Sequence, residues 1–429
     1  MTSNYWKKAP LRELTLKVGS GATPRGGSNS YGESGIPFIR SQNIYNLKFD
    51  NRGIVYLNEE QAEKLNNVRV LKDDVLLNIT GDSVARCTKV PEAFIGSRVN
   101  QHVSIIRTKQ EELDPDFLMY YLNSPYMQRY MLSLAQSGGT RAALTKGMIE
   151  SFEVPLPSLQ EQKAIANILL NCDEKIDTNN EIIGKLEEMA QALFKHWFID
   201  FQFPNQNGKP YKTSGGEMID SELGKIPKGW EVASLKELVE ISSKSVKPHE
   251  YPNRLYEHYS IPAYDENKEP EYQEGKEIKS NKYVVNNEVV LVSKLNPSTK
   301  RIWKPLTKSN DAICSTEFIV YVPKMDKTLS YVYEFLNNDR FQNLLISNAT
   351  GSTGSRQRVR PKETLKYKIV LPKLEIIQKY SELVSSIHSQ IAINKIQNQK
   401  LRDLRNVLLP KLMSGEIRVP YNEEMLEEV

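Results

Sequence analysis

Leu156-Pro157-Ser158-Leu159 and Leu371-Pro372-Lys373-Leu374 are two copies of one phrase, and the long periodic stretch after each copy decides the fold. At the same fixed offset Leu169 meets Val384, Ile176 meets Ile391, Asn179 meets Asn394, Leu186 meets Leu401 and Leu193 meets Leu408, without a gap. Self-similarity of this kind marks a duplicated structural unit. In the first copy Ile165, Leu169, Cys172, Ile176, Asn179, Ile183, Leu186, Ala190, Leu193 and Trp197 follow a 4-3 spacing. In the second, Tyr380, Val384, Ile387, Ile391, Asn394, Asn398, Leu401, Arg405 and Leu408 do the same. That spacing holds one stripe on one face of a helix, the coiled-coil pattern. Glu174, Lys175, Lys185, Glu187 and Glu188 fall off the stripe. Either helix alone is also compatible with packing on a globular domain; two matched copies favour packing on each other. Asn179 and Asn394 occupy equivalent core places, where an asparagine costs stability but fixes register. Arg405 stands where an apolar residue is expected.

Helix ends are legible as well. Pro155 and Pro157 precede the first helix and Phe203-Pro204-Asn205-Gln206-Asn207-Gly208 ends it; Pro372 precedes the second and Ser414-Gly415 follows it. Each helix is preceded by a region of short mixed strands and helices, and the two regions correspond loosely. Trp6 followed by Leu11-Arg12-Glu13-Leu14 parallels Trp230 followed by Leu235-Lys236-Glu237-Leu238. Gly35-Ile36-Pro37-Phe38 parallels Ser260-Ile261-Pro262-Ala263, and the β-prone run Val75-Leu76-Leu77-Asn78-Ile79 parallels Val289-Val290-Leu291-Val292-Ser293. Asp116-Phe117-Leu118-Met119-Tyr120-Tyr121-Leu122 parallels Ser330-Tyr331-Val332-Tyr333-Glu334-Phe335-Leu336.

At 429 residues the chain exceeds one ordinary core, so two or three domains are expected. A hydrophobic fraction of 39% and a mean hydropathy of −0.51 suit a globular protein with long polar helices. Apolar runs are short and interrupted by charge, so no membrane span and no signal peptide are expected. Cys87, Cys172 and Cys314 are scattered, which fits reduced thiols in the cytoplasm. The net charge of +4 is mild, but its distribution is not. Lys294, Lys300, Arg301, Lys304 and Lys308 form one basic run, and Arg356, Arg358, Arg360, Lys362, Lys366 and Lys368 another. The tail Glu423, Glu424, Glu427, Glu428 is acidic.

Two longer stretches carry a family resemblance. Lys175-Ile176-Asp177 through Asn180, Leu186-Glu187-Glu188-Met189-Ala190-Gln191-Ala192-Leu193-Phe194-Lys195 and Trp197-Phe198-Ile199-Asp200-Phe201 resemble the central conserved region of type I restriction-modification specificity subunits. Leu408-Leu409-Pro410-Lys411-Leu412-Met413-Ser414-Gly415-Glu416-Ile417-Arg418-Val419 resembles the distal one. The resemblance implies an α+β fold: two mixed α/β target recognition domains separated by two long helices that form an antiparallel coiled coil, with an internal pseudo-two-fold repeat. It implies a recognition domain at 1–158, a spacer helix at 159–200, a linker and second recognition domain at 201–373, a second spacer helix at 374–413 and a tail at 414–429. Ile165, Leu169, Ile176, Asn179, Ile183, Leu186 and Leu193 would pack with Val384, Ile387, Ile391, Asn394, Leu401 and Leu408. It further implies double-stranded DNA with a bipartite site as ligand, and two methyltransferase (M) subunits docked on the helices. Restriction (R) subunits would join the full complex. This chain would bind no cofactor of its own, with S-adenosylmethionine and ATP carried by the partner subunits.

The best local candidates for DNA contact lie just before each helix. Ser137-Gly138-Gly139-Thr140-Arg141-Ala142-Ala143-Leu144-Thr145-Lys146 matches Ala349-Thr350-Gly351-Ser352-Thr353-Gly354-Ser355-Arg356-Gln357-Arg358-Val359-Arg360. Glycine permits close backbone approach to a phosphate, hydroxyls and amides donate to it, and arginine adds charge. Arginine also grips guanine bidentately, and glutamine grips adenine. Thr140, Arg141 and Lys146 are therefore candidates in the first loop, and Ser355, Arg356, Gln357, Arg358 and Arg360 in the second. Arg25, in a glycine-rich stretch, and Arg40, Gln42 and Asn43, after an expected strand, are further candidates. Lys294, Lys300 and Arg301 complete the set; each of these outlying residues is equally readable as surface charge.

Catalytic classes find little support. Asn296-Pro297-Ser298-Thr299 lacks the second proline and the aromatic of an amino-methyltransferase loop, and no P-loop is present. Pro115-Asp116 with Glu161-x-Lys163 makes a poor nuclease site, and the five histidines show no metal-ligand spacing. A self-contained methyltransferase or nuclease and a purely structural coiled-coil adaptor remain the alternatives to a DNA reader. The heptad stripe generates a test of the helices as a ruler. Inserting one heptad at equivalent points in both helices preserves the stripe and adds about 10 Å. Selection from a random-gap DNA library, with the M subunit present, is expected to return unchanged half-sites. The gap should be longer by about three base pairs, with affinity lowered by the accompanying rotation of about 100°. Full-affinity binding at the original gap overturns the ruler.

Overall fold

The computed structural model describes residues 6–26, 31–137, 142–351 and 357–420. The acidic tail, Glu423 to Glu428, lies outside them. The chain divides into two compact units, Met1–Asp177 with Gln397–Val429, and Thr178–Ile396. The division falls inside both long helices, Leu159–Phe194 and Leu374–Ser414, so each helix gives one half to each unit.

In the first unit β1 (Lys7–Pro10) pairs antiparallel with β9 (Glu153–Leu156). A four-stranded antiparallel sheet runs in the order β2 (Thr15–Ser20), β8 (Val103–Thr108), β5 (Val75–Asn78), β6 (Cys87–Lys89). A smaller sheet orders β4 (Val55–Leu57), β3 (Ile36–Ile39), β7 (Arg98–Val99), the last pair parallel. β5 is buried on both faces, because strand side chains alternate. Val75 and Leu77 join one core, and Leu76 joins another with Phe38, Val99 and Ile105. The first of these cores is covered by the helices Pro115–Asn123 and Pro125–Gln136, begun by Asp114 and Ser124 as N-caps with proline in the first turn. The same core takes Ile165 and Leu169 from the first long helix and Leu409, Leu412 and Met413 from the second. The two segments run antiparallel: Glu161 meets Arg418 at 2.6 Å, while Asp173, further along, meets Arg405.

The second unit repeats the frame. β10 (Glu231–Ser234) pairs with β20 (Lys368–Leu371). A four-stranded sheet orders β11 (Val239–Ser242), β19 (Phe318–Pro323), β16 (Val290–Ser293), β17 (Ile302–Trp303). Val290 and Val292 face one core and Leu291 the other, as in β5. The second sheet is larger: β12 (Ser245–Val246), β15 (Lys282–Val284), β18 (Ala312–Ser315), β13 (Leu255–Tyr259), β14 (Glu271–Glu274). Here Tyr380 donates to the Ala190 carbonyl at 3.0 Å and Lys395 meets Glu187 at 3.6 Å, again antiparallel.

Four expectations need correction. The parallel between the two central runs is shifted by one residue, since Val75–Asn78 answers Val290–Ser293 and Leu76 faces the same core as Leu291. Ile36–Ile39 is a strand whose counterpart is Leu255–Tyr259, each pairing one neighbour parallel and one antiparallel; Ile261–Glu266 is a helix, so the shared Ile-Pro is coincidental. The buried stripe holds for Ile165, Leu169, Ile176, Asn179, Ile183, Val384, Ile391 and Asn394, but Leu186, Leu193, Ile387, Leu401 and Leu408 are half-buried. Phe194, His388 and Leu409 hold buried places instead, because there the helices also pack on the sheet and helix layer. Arg405 is not a fault in the stripe. It pairs with Asp173, which also accepts from the Tyr120 hydroxyl at 2.6 Å. Burial, reinforced by that carboxylate, pushes the Tyr120 phenol well above its ordinary pKa. Removing the acceptor of both groups leaves a half-buried guanidinium unpaired. Asp173→Ala is therefore expected to destabilise the first unit by about 2–4 kcal/mol. An earlier melting transition and faster amide exchange in Pro115–Asn123 check this; Glu188→Ala, exposed on the same helix, leaves both unchanged.

Candidate DNA interface

In each unit the register of the central strand decides which loops meet. In the first unit Ser104 lies opposite Ser20 and Val103 opposite Asn78, so three strands end or begin at one rim of the sheet. Beyond that rim the backbone stays stitched. Gly21 donates to Val103 at 2.8 Å, Ile79 to His102 at 2.9 Å, and Asn100 to Ile39 at 3.0 Å. The Asn78 side chain donates to Ser41 at 2.8 Å. Leu144 donates to Ile79 and Gly81 to Ala142, at 2.8 and 3.2 Å. A side chain at position 21 would have its Cβ 2.2 Å from the Val99 carbonyl, so only glycine permits this closure. Gly21–Gly26, Arg40–Gln42, Thr80–Ser83, Gln101–His102 and Ala142–Ala143 are thereby gathered, with Arg25, Gln42, Asp82 and Gln101 exposed.

The second unit builds the same rim. Ser242 lies opposite Val320 and Ser293 opposite Phe318. Lys294 donates to Glu317, Asn296 to Gln357 and Val359 to Lys294, each at 2.9 Å. Thr350 and Arg358 exchange two backbone bonds at 2.9 Å. The loop before each long helix is thus laid along the continuation of the same central strand, Ile79–Gly81 in one unit and Lys294–Asn296 in the other.

The candidates sort into three groups. Thr140, Arg141, Ser355 and Arg356 lie outside the described residues. Arg25, Gln42, Lys294, Gln357, Arg358 and Arg360 lie on or beside the rims with their side chains at least partly in solvent. Arg358 meets Glu317 at 3.2 Å, an exposed pair worth about 1 kcal/mol or less. A bidentate guanine contact, at about 1–3 kcal/mol, outweighs it. Lys300 faces Asp339 at 3.3 Å in a similarly exposed pair.

The others are spent on structure. Asn43 is fully buried: its carbonyl accepts from the Arg40 amide at 3.0 Å and its amide donates to the Asp50 and Arg52 carbonyls at 2.8 and 3.1 Å. It holds the loop and has no donor left for a base. Arg301 is gripped bidentately by Asp265 at 2.6 and 2.8 Å, and Arg40 donates to the Gly53 carbonyl at 2.6 Å while half-buried. Lys146 is different: it begins a short helix packed on β2, and its pair with Glu150 at 3.4 Å is as exposed as that of Arg358, so its ammonium is not spent.

Sequence reasoning passed over Thr80–Ser83 and Gln101–His102. Nothing in their local composition marks them; strand register alone brings them to the rim. Among the described residues no cluster of histidine, cysteine or carboxylate could hold a metal ion, and no helix is long and apolar enough to cross a membrane.

The family model described as type I restriction modification DNA specificity domain matches the chain twice, over residues 4–188 and 227–403. The MjaIX specificity subunit of Methanocaldococcus jannaschii is 24% identical, covering 96% of this chain and 94% of that protein. The HindI specificity subunit of Haemophilus influenzae is 22% identical, covering 96% and 99%. The crystal structure of a type I restriction-modification S subunit from M. genitalium shares the fold, with a TM-score of 0.56 at 14% identity over 98% of each chain.

Arg358→Ala tests the rim. Loss of about 1–3 kcal/mol confined to one base position is expected if it reads a guanine. A uniform loss with a salt slope shallower by about one identifies a phosphate contact. Unchanged affinity and slope remove Arg358 from the interface.

Proposed function

The chain belongs to the family of type I restriction modification DNA specificity domains and is a specificity subunit of such a system; on that premise we propose how its parts divide the work. Each unit reads one half of a bipartite site in double-stranded DNA through the rim of its four-stranded sheet. The observation that carries this is the repeated rim: two sheets of the same strand order place a loop with free arginine or glutamine at the same strand end. Backbone amides and glycines serve the phosphates, and side chains such as Gln42, Gln357 and Arg358 serve base edges. Differences between the two sets of loops let the two half-sites differ.

The long helices carry the M subunits. Their paired faces are buried, but Ile182, Met189, Leu383, Ile393, Leu404 and Val407 leave apolar side chains in water, from 39% exposed at Ile182 to 57% at Val407. Apolar surface on otherwise polar helices suits a protein partner. Methyl transfer and ATP-driven cleavage belong to M and R subunits in the cytoplasm, with S-adenosylmethionine and ATP bound there. The place of this chain is recognition. Its one approach to a methyltransferase loop, Asn296-Pro297-Ser298-Thr299, is tied by its Asn296 amide to Gln357, consistent with a part of the reading rim.

Incubated with labelled S-adenosylmethionine and DNA, the purified chain is expected to transfer no methyl group until the M subunit is added. Modified bases then mapped on genomic DNA should form a two-part motif with a fixed gap. Methyl incorporation by the chain alone, or a motif without a gap, overturns this reading.

A further inference from the structure

The repeat makes each unit a control for the other. Leu76 pairs with Thr88 as Leu291 pairs with Trp303, and Leu77 with Cys87 as Val292 with Ile302. Lys89 and Lys304, the next residues, are therefore counterparts. The covering helices correspond too, so Asp116 stands where Ser330 stands and Tyr120 where Glu334 stands. In the first unit Lys89 ends on Asp116 at 2.6 Å, with Asp73 at 3.7 Å. In the second unit that carboxylate is replaced by a serine. Among the described residues no carboxylate forms an ion pair with Lys304, whose ammonium has His388 Nδ1 at 3.3 Å.

Of the acids nearby, Glu288 acts on Lys304 only through space, without an ion pair, and the two that line the cavity are engaged elsewhere. Glu334 sits 2.6 Å from His388 Nε2 and accepts from Gln191, and Glu187 faces Lys395 at 3.6 Å. Burial pushes the Lys304 ammonium below its ordinary pKa, although Glu334 and Glu288 act against that shift. A cavity of about 340 Å³ opens here, walled by Lys304, Trp303, Tyr264, Tyr333, His388 and Glu334. Its size is that of small-molecule sites; Lys268 and Lys395 also line it, but Lys268 lies over the Tyr264 ring at 5.7 Å and Lys395 faces Glu187, which leaves Lys304 among the aromatic walls as the cation without a carboxylate partner.

We propose that this cavity binds a small organic anion bearing a planar ring. The carboxylate of the ligand takes, beside Lys304, the place that Asp116 fills beside Lys89, and the ring lies among Trp303, Tyr264 and Tyr333. The site is separate from the reading rims and independent of how they read DNA.

Isothermal titration of the full-length chain with indole-3-acetate tests it, since this probe joins an aromatic ring to a carboxylate. Saturable binding tighter than about 1 mM is expected. Indole, which keeps the ring, and acetate, which keeps the charge, should each bind at least about tenfold more weakly. Lys304→Met removes the cation and should abolish the advantage of the acid over indole. Ser330→Asp restores the internal carboxylate of the first unit. It is expected to raise the thermal midpoint and to weaken indole-3-acetate binding by about tenfold or more. The second variant keeps the test decisive should the first fail to fold. Absence of saturable binding, equal binding of indole and its acid, or undiminished binding by Ser330→Asp each overturns the proposal.

Discussion

Neither unit can close its core with the residues that precede its own helix. In the first, Val75, Leu77 and Phe117 share one apolar cluster with Ile165 and Leu169. They also share it with Leu409, Leu412 and Met413, which arrive only with the last helix of the chain. Each such side chain contributes about 1.5–3 kcal/mol when fully buried. The returning helix therefore supplies stability on the scale of a whole domain's margin. The antiparallel pairing is a consequence. It brings the end of the second helix to the start of the first, where Arg418 meets Glu161 and Arg405 meets Asp173.

A second constraint sits inside each sheet. The central strands, Val75–Asn78 and Val290–Ser293, are buried on both faces, so they cannot slip by one residue without exchanging their two cores. Fixed register fixes the rim. Backbone bonds between the loops hold much of the rim, which leaves side chains such as Arg25, Gln42 and Gln357 at least partly in solvent for a ligand. Asn43 is the instructive exception. Its identity suits base recognition, yet the turn uses both of its donors.

Duplication with divergence explains why one frame carries different chemistry. Tyr120 and Asp173 in the first unit become Glu334 and His388 in the second, and in both a covering helix is bonded to a long helix at the same place. The lysine on the neighbouring strand is retained, but its aspartate is not. Sheet order and helix contacts persist because many residues share them. A single ion pair carries little of the frame and is free to change.

Residue order alone was enough to establish the repeat, the two helices with their caps, most of the buried stripe, and the family. These are written in spacing: apolar residues at coiled-coil intervals, prolines before each helix, glycine after the last. The loop pair before the helices was also legible, because both copies carry it. The counterpart of Ile36–Ile39 was not, since a shared Ile-Pro says nothing of which strand lies alongside. Packing in three dimensions was needed to show that Arg301 is held bidentately by Asp265 while Arg358 meets Glu317 in an exposed pair, that Arg405 has an acid to meet, and that Thr80 and Gln101 share a rim with Arg25. Periodicity is a local property and survives in the order of residues. The availability of a charge depends on what lies within a few ångströms of it through space, and that is set by strand register and helix packing across more than two hundred residues of chain.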